Sequence, residues 1–233
     1  MGFIKDIAPI FKKSEITFLK CNQEGNQLYT FLFEKPVNLD YKAGQHGVFT
    51  IIHKKIKKPS RPFSVATAAF EEHVKISMEI PEKCSEFKQA LLQLKPGMKI
   101  QMRGPFGPLY LNEEKPAVLI AGGIGITPFR AMMKAAENNP SINQPITLYY
   151  LDSRENYLYK EELDEIKHPL ITVNYMSKKD SLYDKLDEYI TKQKNDSIYY
   201  VAGPQKMVKS VQNHLKANNI SKSNIKKDIF FGY

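Results

Sequence analysis

Three short stretches carry residue types at spacings that can do chemistry. Gly122-Gly123-Ile124-Gly125-Ile126-Thr127-Pro128 places three glycines within four positions, after the apolar run 118–121 and before an amphipathic segment. Bare backbone at a strand-to-helix turn lets main-chain N–H groups approach an anion, and the helix N-terminus adds positive potential. The chemistry is then that of a phosphate or a nucleotide; a plain tight turn is the competing reading. Gly123 and Gly125 supply the first half of the dinucleotide fingerprint, whereas Pro128 stands where its third glycine belongs. Arg61-Pro62-Phe63-Ser64 reads as an extended strand, in which Arg61 and Phe63 project together and Ser64 turns away. A bulge or a twist must bring all three to one ligand, and four residues alone fit a plain strand equally well. In Lys83-Cys84-Ser85-Glu86-Phe87, Ser85 is placed to cap the helix that follows.

The rest of the composition narrows what such sites can serve. The 233 residues are 42% hydrophobic and 25% charged, ordinary values for a globular chain of one large or two average domains. No apolar run approaches the roughly 20 residues of a membrane span. Lys5 and Asp6 interrupt any signal-peptide core, and Asp6 sits where a myristoylation motif needs Ser or Thr, so a cytoplasmic location is expected. Cys21 and Cys84 cannot build a disulfide framework, and no Cys/His cluster has ligand spacing, so neither a metal site nor an iron–sulfur cluster is expected. The net charge of +9 favours an acidic partner. No nucleic-acid motif is present, which turns that expectation toward an anionic cofactor or an acidic protein. The densest basic run, His53 to Arg61, reads as a charged loop between strands.

These residues need elements to position them. The first half alternates apolar and polar residues in short runs, 15–20, 28–35, 46–52, 61–66, 73–80 and 99–104, split by turn signals; this predicts an antiparallel sandwich or barrel. One helical pattern, Ser85 to Leu94, interrupts it and ends at Pro96-Gly97. From Pro116 the texture changes to buried strands at 117–122, 146–151, 171–176, 198–203 and 228–233. Helical patterns lie between them at 127–138, 156–166, 182–193 and 204–218. Alternating strands and helices predict a parallel, doubly wound sheet with ligands at its strand C-termini. Residues 111–116 are the expected boundary, giving domains 1–112 and 113–233.

Taken together, the motifs resemble the ferredoxin–NADP reductase superfamily of flavin-dependent oxidoreductases, in order and over almost the full length. Arg61-Pro62-Phe63-Ser64 resembles its Arg-x-(Tyr/Phe)-Ser strand, and Gly122 to Pro128 reproduces its Gly-Gly-x-Gly-x-Thr-Pro turn. Pro128 then suits the first turn of a helix, where its missing N–H has no partner to lose. Cys84 and Ser85 match the end of the turn that meets the flavin pyrophosphate, although Glu82 occupies a place where Gly is common; capping and phosphate binding both remain open for Ser85. Gly104-Pro105-Phe106-Gly107 resembles the closing turn of the flavin domain, with a structural role. Ala202-Gly203-Pro204 stands where the family commonly has Cys-Gly-Pro, so the turn is kept and the thiol is not. Asp228 and Phe230 resemble a terminal acidic-x-Phe element, and Tyr233 reads either as a ring that stacks on the flavin or as a mobile end.

The resemblance implies a Greek-key, FAD-binding antiparallel barrel followed by an NAD(P)-binding α/β domain. It implies that Arg61 neutralises a flavin phosphate, that Phe63 packs on the isoalloxazine, and that Ser64 hydrogen-bonds near flavin N5. Thr127 is expected beside the nicotinamide. Ser177-Lys178-Lys179 after the third α/β strand, with Arg154, resembles the place where NADP-using relatives hold the 2′-phosphate, while Asp180 carries the opposite sign. Hydride would pass from NADPH or NADH to bound FAD, and electrons onward to a ferredoxin- or flavodoxin-like protein, an oxygenase component or a small oxidant. An NAD(P)H:flavin oxidoreductase using free flavin, and a non-catalytic subunit that keeps the fold, are the alternatives.

Overall fold

A computed structural model of the chain describes residues 13–112 and 114–230. It separates into two compact units, 1–110 and 111–233.

The first unit is built on six antiparallel strands: β1 (Lys13–Gly25), β2 (Leu28–Glu34), β3 (His46–Thr50), β4 (Ser60–Ser64), β5 (His73–Glu79) and β6 (Lys99–Phe106). Their order in the sheet is β4-β3-β6-β1-β2-β5. The connection from β5 carries helix α1 (Glu86–Leu92) and lets β6 enter between β1 and β3, a Greek-key type of crossing. Beyond β4 the chain reaches the far edge strand, where the Ala66 N–H donates to the Lys75 carbonyl of β5 at 2.8 Å, so the sheet curls toward closure. The alternation read from the sequence supplies the interior: Phe31, Phe33, Phe49, Ile76 and Ile100 have no exposed surface, and Phe87 of α1 is 1% exposed. Burying such side chains contributes about 1.5–3 kcal/mol each before the entropy of ordering them is counted.

The second unit is a parallel sheet of β7 (Ala117–Gly122), β8 (Ile146–Leu151), β9 (Ile171–Met176), β10 (Ile198–Pro204) and β11 (Ile225–Phe230), in the order β11-β10-β7-β8-β9. Helices α2 (Ile126–Glu137), α3 (Lys160–Asp164), α4 (Lys179–Gln193) and α5 (Gln205–Ala217) connect the strands. β7 and β10 are buried throughout except at Pro204, as a sheet covered on both faces requires. The two-domain, antiparallel-then-parallel architecture expected from the sequence is therefore present.

One helix differs from expectation. The pattern at 156–166 predicts three turns, but only Lys160–Asp164 is helical, because Tyr159 ahead of it adopts a left-handed backbone (φ 65°). The residues before it serve packing instead: the Leu158 N–H donates to the Tyr150 hydroxyl at 3.1 Å, and Leu158 is 4% exposed. Among the described residues, no helix is long and apolar enough to cross a membrane.

Candidate functional site

In the second unit, β7 is flanked by β8 on one side and β10 on the other, so the chain leaves β7 and β10 in opposite directions. Open α/β sheets bind ligands in the crevice that such a switch point opens at the strand C-termini. The glycine turn lies there. Gly122 ends β7, Gly123–Gly125 form one 3-10 turn, and α2 begins at Ile126.

The three glycines do different work. A Cβ on Gly125 would lie 2.2 Å from the Ala202 carbonyl oxygen and 2.8 Å from the Gly203 Cα. A Cβ on Gly122 would meet the Met207 sulfur at 2.2 Å, and one on Gly203 (φ 146°) would lie 2.9 Å from the Gly122 carbonyl oxygen. Gly125 and Gly203 thus let the turns after β7 and β10 pack backbone against backbone, while Gly122 makes room for the Met207 side chain. Gly123 is different: it is left-handed (φ 50°), and among the described residues the place of a Cβ is approached within 4 Å by Asp152 Oδ2 alone, at 3.7 Å. Its backbone is the open part of the turn. The buried Thr127 donates its hydroxyl to the Ile124 carbonyl at 3.1 Å, which fixes the side chain while leaving its oxygen lone pairs to accept. Pro128 sits in the first turn of α2, and Pro204, half-buried, precedes α5 and pairs with Phe230 of β11. Phe230 is half-buried; Tyr233 lies outside the described residues.

The ends of β8 and β9 flank this turn. Ser177 follows β9 and is half-buried, Lys178 is exposed ahead of α4, and Arg154 is exposed in the turn after β8. The Arg154 N–H donates to Asp152 Oδ1 at 2.8 Å, and the Asp152 N–H donates to the Met176 carbonyl at 2.9 Å. Asp152 is only 6% exposed, and sequence reading passed over it. Its one sequence signal was an acidic residue directly after the second α/β strand. Burial foremost, and then the Asp152 charge, push the neighbouring Tyr150 phenol far above its ordinary range.

In the first unit, β4 pairs with β3 in unbroken register from Thr50↔Ser60 to His46↔Ser64. Alternation therefore runs without a bulge through Ser64, which is 6% exposed on the strand face opposite Arg61 and Phe63. Arg61 and Phe63 share a neighbour. The Phe63 ring stacks on Phe87 of α1 at 5.7 Å between centroids, and the Arg61 guanidinium carbon lies 5.9 Å from the same ring centre. Arg61 Nη1 donates to the Ser60 carbonyl at 2.8 Å and to the Lys58 carbonyl at 3.2 Å. Its Nε and Nη2 donors meet no partner among the described residues, so the half-buried guanidinium keeps part of its fork for an anion.

Around α1, Ser85 accepts the Lys88 N–H at 3.4 Å as the helix cap, and Cys84 is half-buried with its carbonyl accepting from Gln89 Nε2 at 3.2 Å. The basic loop 53–58 is tied to this helix, since the Lys57 N–H donates to Glu86 Oε2 at 3.1 Å and Lys54 Nζ to Gln93 Oε1 at 3.1 Å. The turn at Gly104–Gly107 is held from the residue ahead of β3, with Gln45 Nε2 donating to the Gly107 carbonyl at 2.9 Å. A Cβ on Gly107 (φ 115°) would lie 2.9 Å from the His46 ring.

Residues 119–213 match the family model described as "Oxidoreductase NAD-binding domain". A solved ferredoxin NADP+ reductase from Neisseria gonorrhoeae with bound FAD and NADP superposes with a TM-score of 0.79 at 17% identity, over 94% of this chain and 99% of that one. The chain has the fold of the ferredoxin–NADP reductase family. Similar proteins are also found by sequence. NADH-cytochrome b5 reductase 1 of Dictyostelium discoideum is 29% identical over 144 residues, 55% of this chain and 50% of that protein. The toluate 1,2-dioxygenase electron transfer component of Pseudomonas putida is 31% identical over 142 residues, 56% of this chain and 42% of that protein. The chain thus spans about half the length of these curated relatives.

Proposed function

We propose that the chain is an FAD-dependent NAD(P)H oxidoreductase that passes electrons to a separate acceptor. The observation that carries this is the glycine turn at the switch point of the parallel sheet, with Gly123 left-handed and open and the turn opening onto α2. A nicotinamide dinucleotide is the ligand that such a turn suits, its pyrophosphate taking the main-chain N–H groups.

The first unit suits FAD by its donor chemistry. Arg61 offers unpaired guanidinium donors beside the aromatic pair Phe63 and Phe87, and a charged fork next to an apolar ring face fits a phosphate attached to a planar ring system. In this reading Arg61 holds the flavin phosphate, Phe63 packs on the ring system, and Cys84 and Ser85 line the pyrophosphate end; Ser64 lies on the other face of the unbulged β4 but is its last residue, and it hydrogen-bonds near the reacting ring atom only where the ring system passes that strand end. When bound, FAD would supply the chemistry of accepting a hydride from the reduced nicotinamide and passing electrons on one at a time. The chain's residues orient and exclude water: Thr127, its rotamer fixed through Ile124, accepts a hydrogen bond from the carboxamide, and Gly203 and Pro204 shape the wall next to it. No nucleophile or metal is required.

The acceptor is a redox protein or oxygenase component, as the similarity to an oxygenase electron transfer component suggests. A net charge of +9 speeds association with an acidic partner, an effect that salt screens. The test is the purified protein itself. It is expected to be yellow after gel filtration, with about one FAD per chain, and to bleach on anaerobic addition of NADH or NADPH without added flavin. A colourless protein that oxidises the nucleotide only with saturating free FMN or riboflavin would reassign it as a flavin reductase. A colourless protein inactive under both conditions would make it a non-catalytic chain.

A further inference from the structure

The loop joining β3 to β4 is closed at its base by the Ile51 N–H, which donates to the Pro59 carbonyl at 2.9 Å and leaves residues 52–58 as the tip. Those seven residues hold four lysines and no acid. All four lysines are exposed, and the ammonium groups of Lys55, Lys57 and Lys58 meet no partner among the described residues. Glu86 of α1 meets the tip at the Lys57 backbone N–H rather than at an ammonium group. Lys54 Nζ donates to Gln93 Oε1, which draws the tip against the end of α1. Beside these two residues stand Ile52, 44% exposed, and Leu92, 45% exposed. Two aliphatic side chains are thus kept in water among lysines. Ile56 packs on the core and anchors the tip, but His53 is poorly served by it. Both ring nitrogens of His53 are buried without a hydrogen-bond partner among the described residues. A neutral imidazole carries one donor and one acceptor, and burying them unpaired is a cost that the loop alone does not offset.

We propose that the 52–58 tip, together with Leu92 of α1, docks on an anionic lipid surface: Ile52 and Leu92 enter the headgroup layer, the lysines meet lipid phosphates, and His53 leaves its unpaired site for polar surroundings. The residue types separate this occupant from others. Protein interfaces draw their affinity from Tyr, Trp and Arg and are depleted in Lys. Single-stranded nucleic acid is held by aromatic stacking over a basic groove. The tip contains no Tyr, Trp, Phe or Arg. Aliphatic insertion combined with attraction of lysines to anionic headgroups is the chemistry of an interfacial membrane contact. The charge complementarity is one-sided, since the tip carries no acid to be repelled. The proposal is independent of what the glycine turn binds.

The experiment uses the whole chain with extruded vesicles of phosphatidylcholine, either pure or containing about one third phosphatidylglycerol. The chain has no tryptophan, so Ile52→Trp reports on the patch alone. Its emission is expected to shift to the blue with phosphatidylglycerol vesicles and to stay unmoved with pure phosphatidylcholine. Cosedimentation of the wild type is expected to follow the same pattern and to weaken as salt rises. Lys55→Gln combined with Lys58→Gln is expected to lower partitioning about 25-fold, about fivefold for each lysine. Leu92→Ser is expected to lower it about fivefold at unchanged charge and unchanged dye reduction. His53→Leu removes the unpaired nitrogens, so it is expected to raise Tm and to weaken vesicle binding. A wild type that binds neither vesicle overturns the proposal, and so does cosedimentation without a blue shift, which places adsorption elsewhere on the chain. Capture by immobilised polyglutamate as strong as by vesicles, with no effect of Leu92→Ser, reassigns the patch to an acidic protein. Should Ile52→Trp not fold, Leu92→Trp carries the same measurement.

Discussion

Gly125 approaches Ala202 so closely that a single methyl group on it would stand 2.2 Å from a carbonyl oxygen of another turn. Neither partner is the far end of a flexible side chain, so the clash is relieved only by moving main chain. Gly125→Ala is therefore expected to destabilise the protein by about 3 kcal/mol, the upper end for overpacking. Gly123→Ala adds no clash and only a left-handed alanine, costing about 1–2 kcal/mol. Urea midpoints of the two variants check the order, and a Gly125→Ala variant more stable than Gly123→Ala would contradict this account of the turn.

Ser64 is buried at the end of β4, on the face opposite Arg61 and Phe63. If it hydrogen-bonds near the reacting flavin atom, its loss removes stabilisation that grows in the transition state while the phosphate contact at Arg61 survives. Ser64→Ala is expected to slow stopped-flow flavin reduction by about ten- to a thousandfold, about 1.4–4 kcal/mol, with FAD retained. An unchanged rate in a flavin-replete variant would place Ser64 outside the reacting site.

Burial holds the phenols of Tyr150, Tyr175 and Tyr199 well above their ordinary value, with Asp152 adding to the effect at Tyr150 and Asp164 at Tyr175. Below pH ~10 the phenols are neutral in both folded and unfolded chains and stability is indifferent to them. Above it the unfolded chain releases protons that the native state keeps, so stability falls as pH rises, by up to about 1.4 kcal/mol per pH unit for each phenol. Urea midpoints between pH 9 and 11 are expected to fall and to fall less steeply in Tyr150→Phe. A flat profile in the wild type would show that these phenols ionise freely in the fold.

Much of this architecture was legible because each signal was local. Alternation along 28–35 and 73–80 marks strands whatever they pair with, and the Gly-rich turn between an apolar run and an amphipathic one marks its own place on a parallel sheet. What escaped depended on distance. Nothing near Gly125 in sequence tells that Ala202 lies against it, so the sequence gives no sign that Gly123, of the three glycines in the turn, is the open one. The pattern at 156–166 has helical periodicity, but Tyr150, a buried side chain from β8, captures the Leu158 N–H and Tyr159 turns left-handed, which shortens the helix.

The interlocked turns also make a lever. Gly122 and Gly125 abut Ala202 and Gly203 with no side chain between them, and close-packed backbones transmit displacement instead of absorbing it. β11 is hydrogen-bonded along β10 up to Pro204↔Phe230, so a push at the first turn would travel through the second into β11. On the proposed reading, a nucleotide settling on Gly123 would press, through these glycine contacts and the β10–β11 pairing, on β11. Distance labels placed on α2 and on β11 would read the two movements as one.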